Sequence, residues 1–384
     1  VATKKTDENT AKMLYRFVVV GDLHLRRTDP LGIVEEDGLN SRLKDKLEAL
    51  GSIVQYACTN HATHLELLGD IFDAVNPSEK LKELFWLELK PALDANIEIR
   101  IIIGNHDRTG LTYNFSGDKI IVQNNIKIIS NDYFVDRLKL PNRKKELVVR
   151  HIPYGIKEKV TENLHVSSSS CEPDMLFGHF EIEGAQLAPD NAQIRQGFKV
   201  EEVPGRLVWL GHIHKFQEFR PGFAYIGSTV KCDFGEVTNT KVFGKIDIYD
   251  DGQMKFQYNE IPQRPMYQYT VSEDDVNNLY ISEQIPKELK EKGVLIKFKL
   301  VGSAEWVKSI DKARFRKRFK NAMRVVFDEE KIDTDRKTNE AAISQKMEDR
   351  VAFYVADKKK GKEYTKVGME LAQAAQEKAE EVEA

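Results

Sequence analysis

The sequence predicts an α/β protein: two packed β-sheets flanked by helices, with a small α/β capping domain and C-terminal helices appended. Over the first two-thirds, short apolar runs alternate with segments of helical period, the mark of a layered α/β fold. Farther on, the apolar runs follow one another closely, as consecutive strands do. A break at residues 263–265 (QRP) then restarts the pattern on a smaller scale.

Residues 14–20 (LYRFVVV) form the first strand. From Asn40 onward, Leu43, Leu47, Leu50, Val54 and Ala57 recur at helical spacing, and Asn40 or Ser41 is placed to cap that helix. Residues 64–68 (HLELL) give the next strand. A helix opened by Pro77 and closed near Pro91 carries Leu81, Phe85 and Leu89 on one face. Residues 97–103 (IEIRIII) give a third strand, and strands over 146–152, 175–177, 207–210, 223–226 and 242–249 complete one large domain spanning 13–262. Within it, 167–170 is a serine-rich loop. The polar stretch 1–12 lacks the apolar centre of a signal peptide and reads as a flexible tail. Residues 263–335 form the capping domain, from a half-exposed strand over 294–300 (VLIKFKL), a helix capped by Ser303 and a strand over 323–327. Residues 336–384 are charged and helical; Ile343, Met347, Val351, Tyr354, Val367 and Leu371 are spaced along them in steps that suit docking on a partner rather than a core of their own.

Composition narrows the function classes. Of 384 residues, 41% are hydrophobic and 31% charged, ordinary for a protein with a real core. No apolar run approaches the ~20 residues that span a bilayer, so no membrane role is expected. Cys58, Cys171 and Cys232 are scattered and unpaired in pattern, which points to a reducing, cytoplasmic compartment and away from a zinc–thiolate site. A net charge of −3 means that any affinity for nucleic acid comes from a local patch, from bound cations or from a partner.

The chemistry lies in five short motifs, each directly after an apolar run. They are Asp22 and His24 in GDLH, Asp70 and Asp73 in GDIFD, Asn105, His106 and Asp107 in GNHD, His179 in FGH, and His212 and His214 in GHIH. Ligands of open α/β sheets bind beyond the carboxyl ends of the strands, so these side chains can converge. Alone, each motif is weak: a glycine–histidine pair is usually a turn with a solvated imidazole. Together, in one order and always after a strand, they describe a site for two divalent cations. The mixed oxygen and imidazole donors suit divalent ions such as Mn²⁺, Fe²⁺ or Zn²⁺, whereas all-oxygen cages prefer Mg²⁺ or Ca²⁺; two Mn²⁺ ions are expected here, with Mg²⁺, Fe²⁺ or Zn²⁺ as alternatives. Two such ions roughly 3.5–4 Å apart clamp the attacking and leaving oxygens of an in-line displacement and activate water, so no serine or cysteine nucleophile is required. Asp70, after a central strand, is the natural bridge.

This series resembles that of the calcineurin-like metallophosphoesterases. Within that superfamily the chain is similar to SbcD-type nuclease subunits of bacteria and bacteriophages, on GDIFD, His151-Ile152-Pro153-Tyr154, Tyr225-Ile226-Gly227-Ser228 and Phe234-Gly235-Glu236. The resemblance implies that Asp22, His24, Asp70 and His214 hold one metal and Asp70, Asn105, His179 and His212 the other. It implies that His106 faces the scissile phosphate, that Asp73 orients His106, and that Asp107 orients a ligand histidine. Thr229 departs from the Gly-Ser-Pro of the family. The implied activity is a metal-dependent DNA exonuclease and endonuclease, cytoplasmic (the host's cytoplasm if phage-encoded). The implied partners are DNA, an SbcC-like coiled-coil ABC-type ATPase bound through the C-terminal helices, and a second copy in a homodimer. The competing enzyme reading is a phosphodiesterase or phosphatase for small molecules or nucleotides. A scaffold that has lost catalysis is disfavoured, because no ligand position is replaced.

Other features weigh less. His61, His64, His151 and His165 lie outside the motif positions and read as packing or surface residues. A basic helix over 307–324, with Lys308, Lys312, Arg314, Arg316, Lys317, Arg318, Lys320 and Arg324, is either a solvated face or a contact to the DNA backbone.

Overall fold

The computed structural model describes residues 11–109, 112–115, 125–165, 172–187, 192–273, 289 and 291–331. The loop expected at 167–170 and the helices expected over 336–384 lie outside the described residues, as does most of the expected tail.

Strand β1 (Met13–Val20) leads to helix α1 (Ser41–Thr59), β2 (His64–Leu67), α2 (Glu79–Asp94) and β3 (Glu98–Ile102). A small hairpin, β4 (Arg108–Thr109) and β5 (Thr112–Tyr113), precedes β6 (Ile126–Ile129), β7 (Phe134–Leu138), β8 (Leu147–Ile152) and α3 (Lys157–Leu164). Then come β9 (Met175–His179), the hairpin β10 (Gln186–Leu187) and β11 (Ala192–Gln193), β12 (Leu207–Gly211), β13 (Gln217–Arg220) and β14 (Phe223–Tyr225). The chain continues through β15 (Val242–Tyr249), β16 (Met254–Glu260), β17 (Met266–Ser272) and β18 (Leu295–Gly302) to α4 (Ala304–Ser309), α5 (Lys312–Arg318) and β19 (Arg324–Lys331).

Two six-stranded sheets form the body, ordered β16-β15-β1-β2-β3-β6 and β13-β14-β12-β9-β8-β7. In the first, β1, β2, β3 and β6 are parallel; in the second, β8, β9, β12 and β14 are. Alternation along β1 shows why they stack. Val18 and Val20 face α1 and α2, packing with Leu47, Leu50, Phe85 and Leu89. Phe17 and Val19 face the other sheet, packing with Val149, Phe177 and Trp209. Strands β2, β8 and β12 are buried along their whole length, on both faces.

By compactness the chain divides into one unit of Val1–Gln268, Pro286–Lys297 and Phe319–Val326, and another of Tyr269–Ile285, Phe298–Arg318 and Phe327–Ala384. Both large sheets belong to the first. In the second, Phe298 packs on Phe315 and Phe327. No helix among the described residues is long and apolar enough to cross a membrane.

Two local expectations change. Helix α2 is capped by Ser78, whose hydroxyl accepts from Leu81 N, and it runs past Pro91 to Asp94. Pro91 removes one amide donor, but its own carbonyl accepts from Ala95 N at 3.1 Å, so the last turn still closes. The basic helix expected over 307–324 is broken. Helix α4 ends at Ile310, which is extended and buried, and Asp311 caps α5 by accepting from Arg314 N at 3.0 Å.

Candidate metal centre

Parallel strands deliver the motif residues to one end of both sheets. Asp22 and His24 follow β1, Asp70 and Asp73 follow β2, and Asn105, His106 and Asp107 follow β3, all from the first sheet. His179 closes β9, and His212 and His214 follow β12, from the second. The crossing is tight. Gly69 has φ of +104°, and a Cβ there would lie 2.4 Å from His179 Nδ1. A Cβ on Gly211 would lie 2.5 Å from Leu68 O. His24, Asp70 and His212 themselves hold φ of 47°, 48° and 93°. Such left-handed residues cost about 1–3 kcal/mol each and persist where surrounding structure enforces them.

The described residues bring all seven expected ligands together. Donor atoms of Asp22, His24 and His214 lie within 4.8 Å of one another, and so do those of Asp70, His179 and His212. Asp70 stands between the groups: Oδ2 is 3.6 Å from His24 Nε2 and 3.5 Å from His179 Nε2. The Asn105 side-chain oxygen lies 3.0 Å from His179 Nε2 and 2.9 Å from His212 Nδ1. Asp22, fully buried, accepts from His212 N at 3.0 Å.

Three imidazoles have their outer nitrogen engaged and their inner one turned to the centre. His179 Nδ1 donates to Leu68 O at 2.7 Å, leaving Nε2 toward Asp70 and Asn105. His24 Nδ1 meets Asp73 at 3.2 Å and His214 Nδ1 meets Glu236 at 3.0 Å, leaving their Nε2 atoms 2.8 Å apart. Hydrogen bonds of this kind fix the tautomer and present a basic nitrogen to a cation. Mixed carboxylate, amide-oxygen and imidazole donors around a central carboxylate fit two divalent ions.

Charge couples these groups. Burial works to raise the Asp70 carboxyl, but the neighbouring His179 and His24 hold it well below the usual range. Burial also opposes protonation of His179, yet the Asp70 charge pushes it up to about 9. His212 goes the other way, to about 3, through burial and the positive charge of His179. For Asp73, burial is outweighed by His24 and Arg26, which bring it down to about 2.

His106 is the exposed member, at the mouth of the site. Its amide donates to Asp70 Oδ1 at 2.9 Å, and its Nδ1 lies 3.5 Å from Asp73 Oδ1. Asp73 is shared, since it lies closer to His24 and also accepts from Arg26 at 3.0 Å. Asp107 departs from expectation. Its buried carboxylate accepts from the amides of Ile71, Phe72 and Gly104 and from the Asn114 side chain, and from no histidine among the described residues. It pins the loops that carry Asp70 and Asn105, because three adjacent amides outcompete a more distant ring.

Glu236 is the residue sequence reasoning left without a role. Besides orienting His214, it pairs with buried Lys241 at 2.7 Å and accepts from Cys232 N. The only signal was its place in the Phe234-Gly235-Glu236 echo. Thr229 also gains a purpose: its amide donates to Asp22 O at 3.0 Å, which a proline could not do.

The calcineurin-like phosphoesterase profile matches residues 15–216, more than half of the chain and every one of these motifs. The chain belongs to the calcineurin-like phosphoesterase family. A solved dimetal phosphatase from Danio rerio is similar to this calcineurin-like phosphoesterase over 66% of this chain and 98% of its own, at 12% identity and a TM-score of 0.39. No curated protein sequence matches.

Proposed function

We propose that this phosphoesterase is a metal-dependent DNA exonuclease and endonuclease, the SbcD-type nuclease subunit of a complex with an SbcC-like ATPase. The observation that carries the phosphoester chemistry is Asp70 standing between two sets of inward-facing imidazoles, with His106 tethered to the same carboxylate. Support for DNA as substrate comes from the motif resemblance at residues 69–73, 151–154, 225–228 and 234–236, and from the cationic residues of α5 in the second unit.

Asp22, His24, Asp70 and His214 would hold one divalent ion, and Asp70, Asn105, His179 and His212 the other, Mn²⁺ first among candidates. When bound, the pair supplies Lewis-acid polarisation of the phosphoester and an activated water. The chain's own residues do the rest. Water adds to phosphorus, the P–O ester bond breaks, the leaving oxygen takes a proton that His106 holds on the ring nitrogen facing away from Asp73, and the proton shed by the water restores that ring. Asp73 keeps that ring aimed, and Asp107 keeps its loop in place.

The test is Mn²⁺-dependent digestion of end-labelled duplex DNA beside a small chromogenic diester. Cleavage of the duplex is expected, with the ATPase partner added where it stimulates. Robust turnover of the diester with no DNA cleavage, even with the partner, would make the chain a small-molecule phosphodiesterase instead. Removal of residues from Thr338 onward should abolish co-purification with the ATPase and spare diester hydrolysis; unchanged co-purification would remove the C-terminal segment from the partner interface.

A further inference from the structure

A cavity of about 520 Å³ opens beside the metal centre and shares Asn105 with it. Its volume falls within the range of small-molecule sites, roughly 300–1,000 Å³. The floor is the segment Pro153, Tyr154, Gly155 and Ile156, which follows β8. A second cavity, about 150 Å³, lies against the same Tyr154, Gly155 and Ile156 and is closed by Phe180 and Phe198. Tyr154 lines both, and its ring lies 5.8 Å from the His212 ring and 6.1 Å from that of His179.

The shelf is rigid. Tyr154 N donates to Ile103 O at 2.9 Å, at the end of β3, and Tyr154 O accepts from Arg108 at 2.9 Å. Its cationic rim is already engaged. Arg108 also donates to Ser130 O, Lys159 pairs with Asp132 at 2.8 Å, and Lys157 donates to Gly197 O while lying 5.4 Å over the Phe198 ring. An anion therefore gains little in this cavity, whereas a planar, weakly charged group gains an aromatic face and an apolar floor. Ile156 is 73% exposed at the edge, an apolar side chain with nothing of its own to cover. The phosphate of a ligand has its place at the adjoining metal centre; the cavity takes what is attached to that phosphate.

We infer that this cavity is a nucleoside subsite, in which the base next to the scissile phosphate stacks on Tyr154. The inference rests on the nuclease reading and gives its substrate class a residue: a nucleotide ester is held at both ends, a simple phosphate ester only at one. Base–aromatic stacking is worth roughly 5- to 100-fold in affinity. It tolerates any base, as a nuclease without sequence preference requires.

The experiment compares binding of deoxyadenosine monophosphate and of inorganic phosphate to the Mn²⁺-loaded full chain by calorimetry. The wild type should prefer the nucleotide by about tenfold or more, Tyr154→Phe should keep that preference, and Tyr154→Ala should lose most of it. Equal preference in wild type and Tyr154→Ala overturns the subsite. Should Tyr154→Ala fail to fold, tyrosine-labelled NMR of the wild type decides, with the Tyr154 ring signal assigned from Tyr154→Phe. That signal should shift with the nucleotide and not with phosphate, and an unmoved signal overturns the subsite. The two readings separate cleanly: DNA cleavage with no Tyr154 effect sinks the subsite alone, and nucleotide stacking without DNA cleavage sinks the nuclease alone.

Discussion

At the scale of single residues, an imidazole is defined by what holds its far nitrogen. Glu236 holds His214 in this way, so Glu236→Gln, which keeps the shape and removes the charge, should weaken divalent-ion binding by about 10- to 100-fold. Calorimetric titration with Mn²⁺ checks this, and an unchanged affinity would reduce Glu236 to a partner of Lys241. His106 sits outside both ligand sets. His106→Gln should lower diester hydrolysis by about 10²–10⁴-fold while metal content, measured by elemental analysis, stays near that of the wild type; loss of both ions would mean His106 is a ligand. The ligand positions were legible because each motif carries a glycine at a strand end, and the backbone crossings at Gly69 and Gly211 demand that glycine. Glu236 was not legible in the same way. It meets His214 from 22 positions along the chain, beyond β13 and β14, by a return that no local pattern reveals.

Among the elements, β2 buries two ionisable side chains, His64 and Glu66. Glu66 meets His151 of β8 at 3.0 Å, both without exposure, so a hydrogen-bonded pair bridges the two sheets through their shared core. Breaking it by Glu66→Leu should cost about 1–3 kcal/mol, and adding His151→Phe should recover most of the loss. Urea unfolding midpoints of the single and double variants test the pairing; additive losses would mean the two act independently. His64, at the start of the same strand, stacks on Phe17 with ring centroids 4.1 Å apart. Burial, opposed in part by Glu66, pushes its pKa down to about 4. The folded state thus binds its proton later than the unfolded chain does. Stability is lost as pH falls from about 6.5 through about 4, by an amount of order 3 kcal/mol. In chelator, His64→Phe should lose less than the wild type between pH 7 and pH 4.5, and parallel losses would show that His64 does not contribute. The strands were easy to read, since β1, β2 and β3 each turn apolar residues toward the helices, Val18 and Val20, Leu65 and Leu67, and Ile99 and Ile101. The helices were harder. A basic run from 307 to 324 looks continuous in sequence, and only the burial of Ile310 and the cap from Asp311 divide it.

For the whole molecule, the metal centre lies on a seam. Asp22, His24, Asp70 and Asn105 come from one sheet, and His179, His212 and His214 come from the other. Each proposed ligand set draws on both, so ion binding should resist separation of the sheets. Mn²⁺ at about 100 times its dissociation constant should stabilise the fold by about 2.7 kcal/mol, seen as a rise in melting temperature that chelator reverses; an unmoved transition would detach the site from the fold. The order of the motifs already implied convergence at strand ends, but not this division between sheets, because pairing partners depend on contacts distant in sequence. Asp70 concentrates the dependence further, since one of its oxygens faces two imidazoles while the other grips the amide of His106. A displacement of that single carboxylate would therefore reach both neighbourhoods at once, loosening the imidazoles of His24 and His179 and the backbone that carries His106.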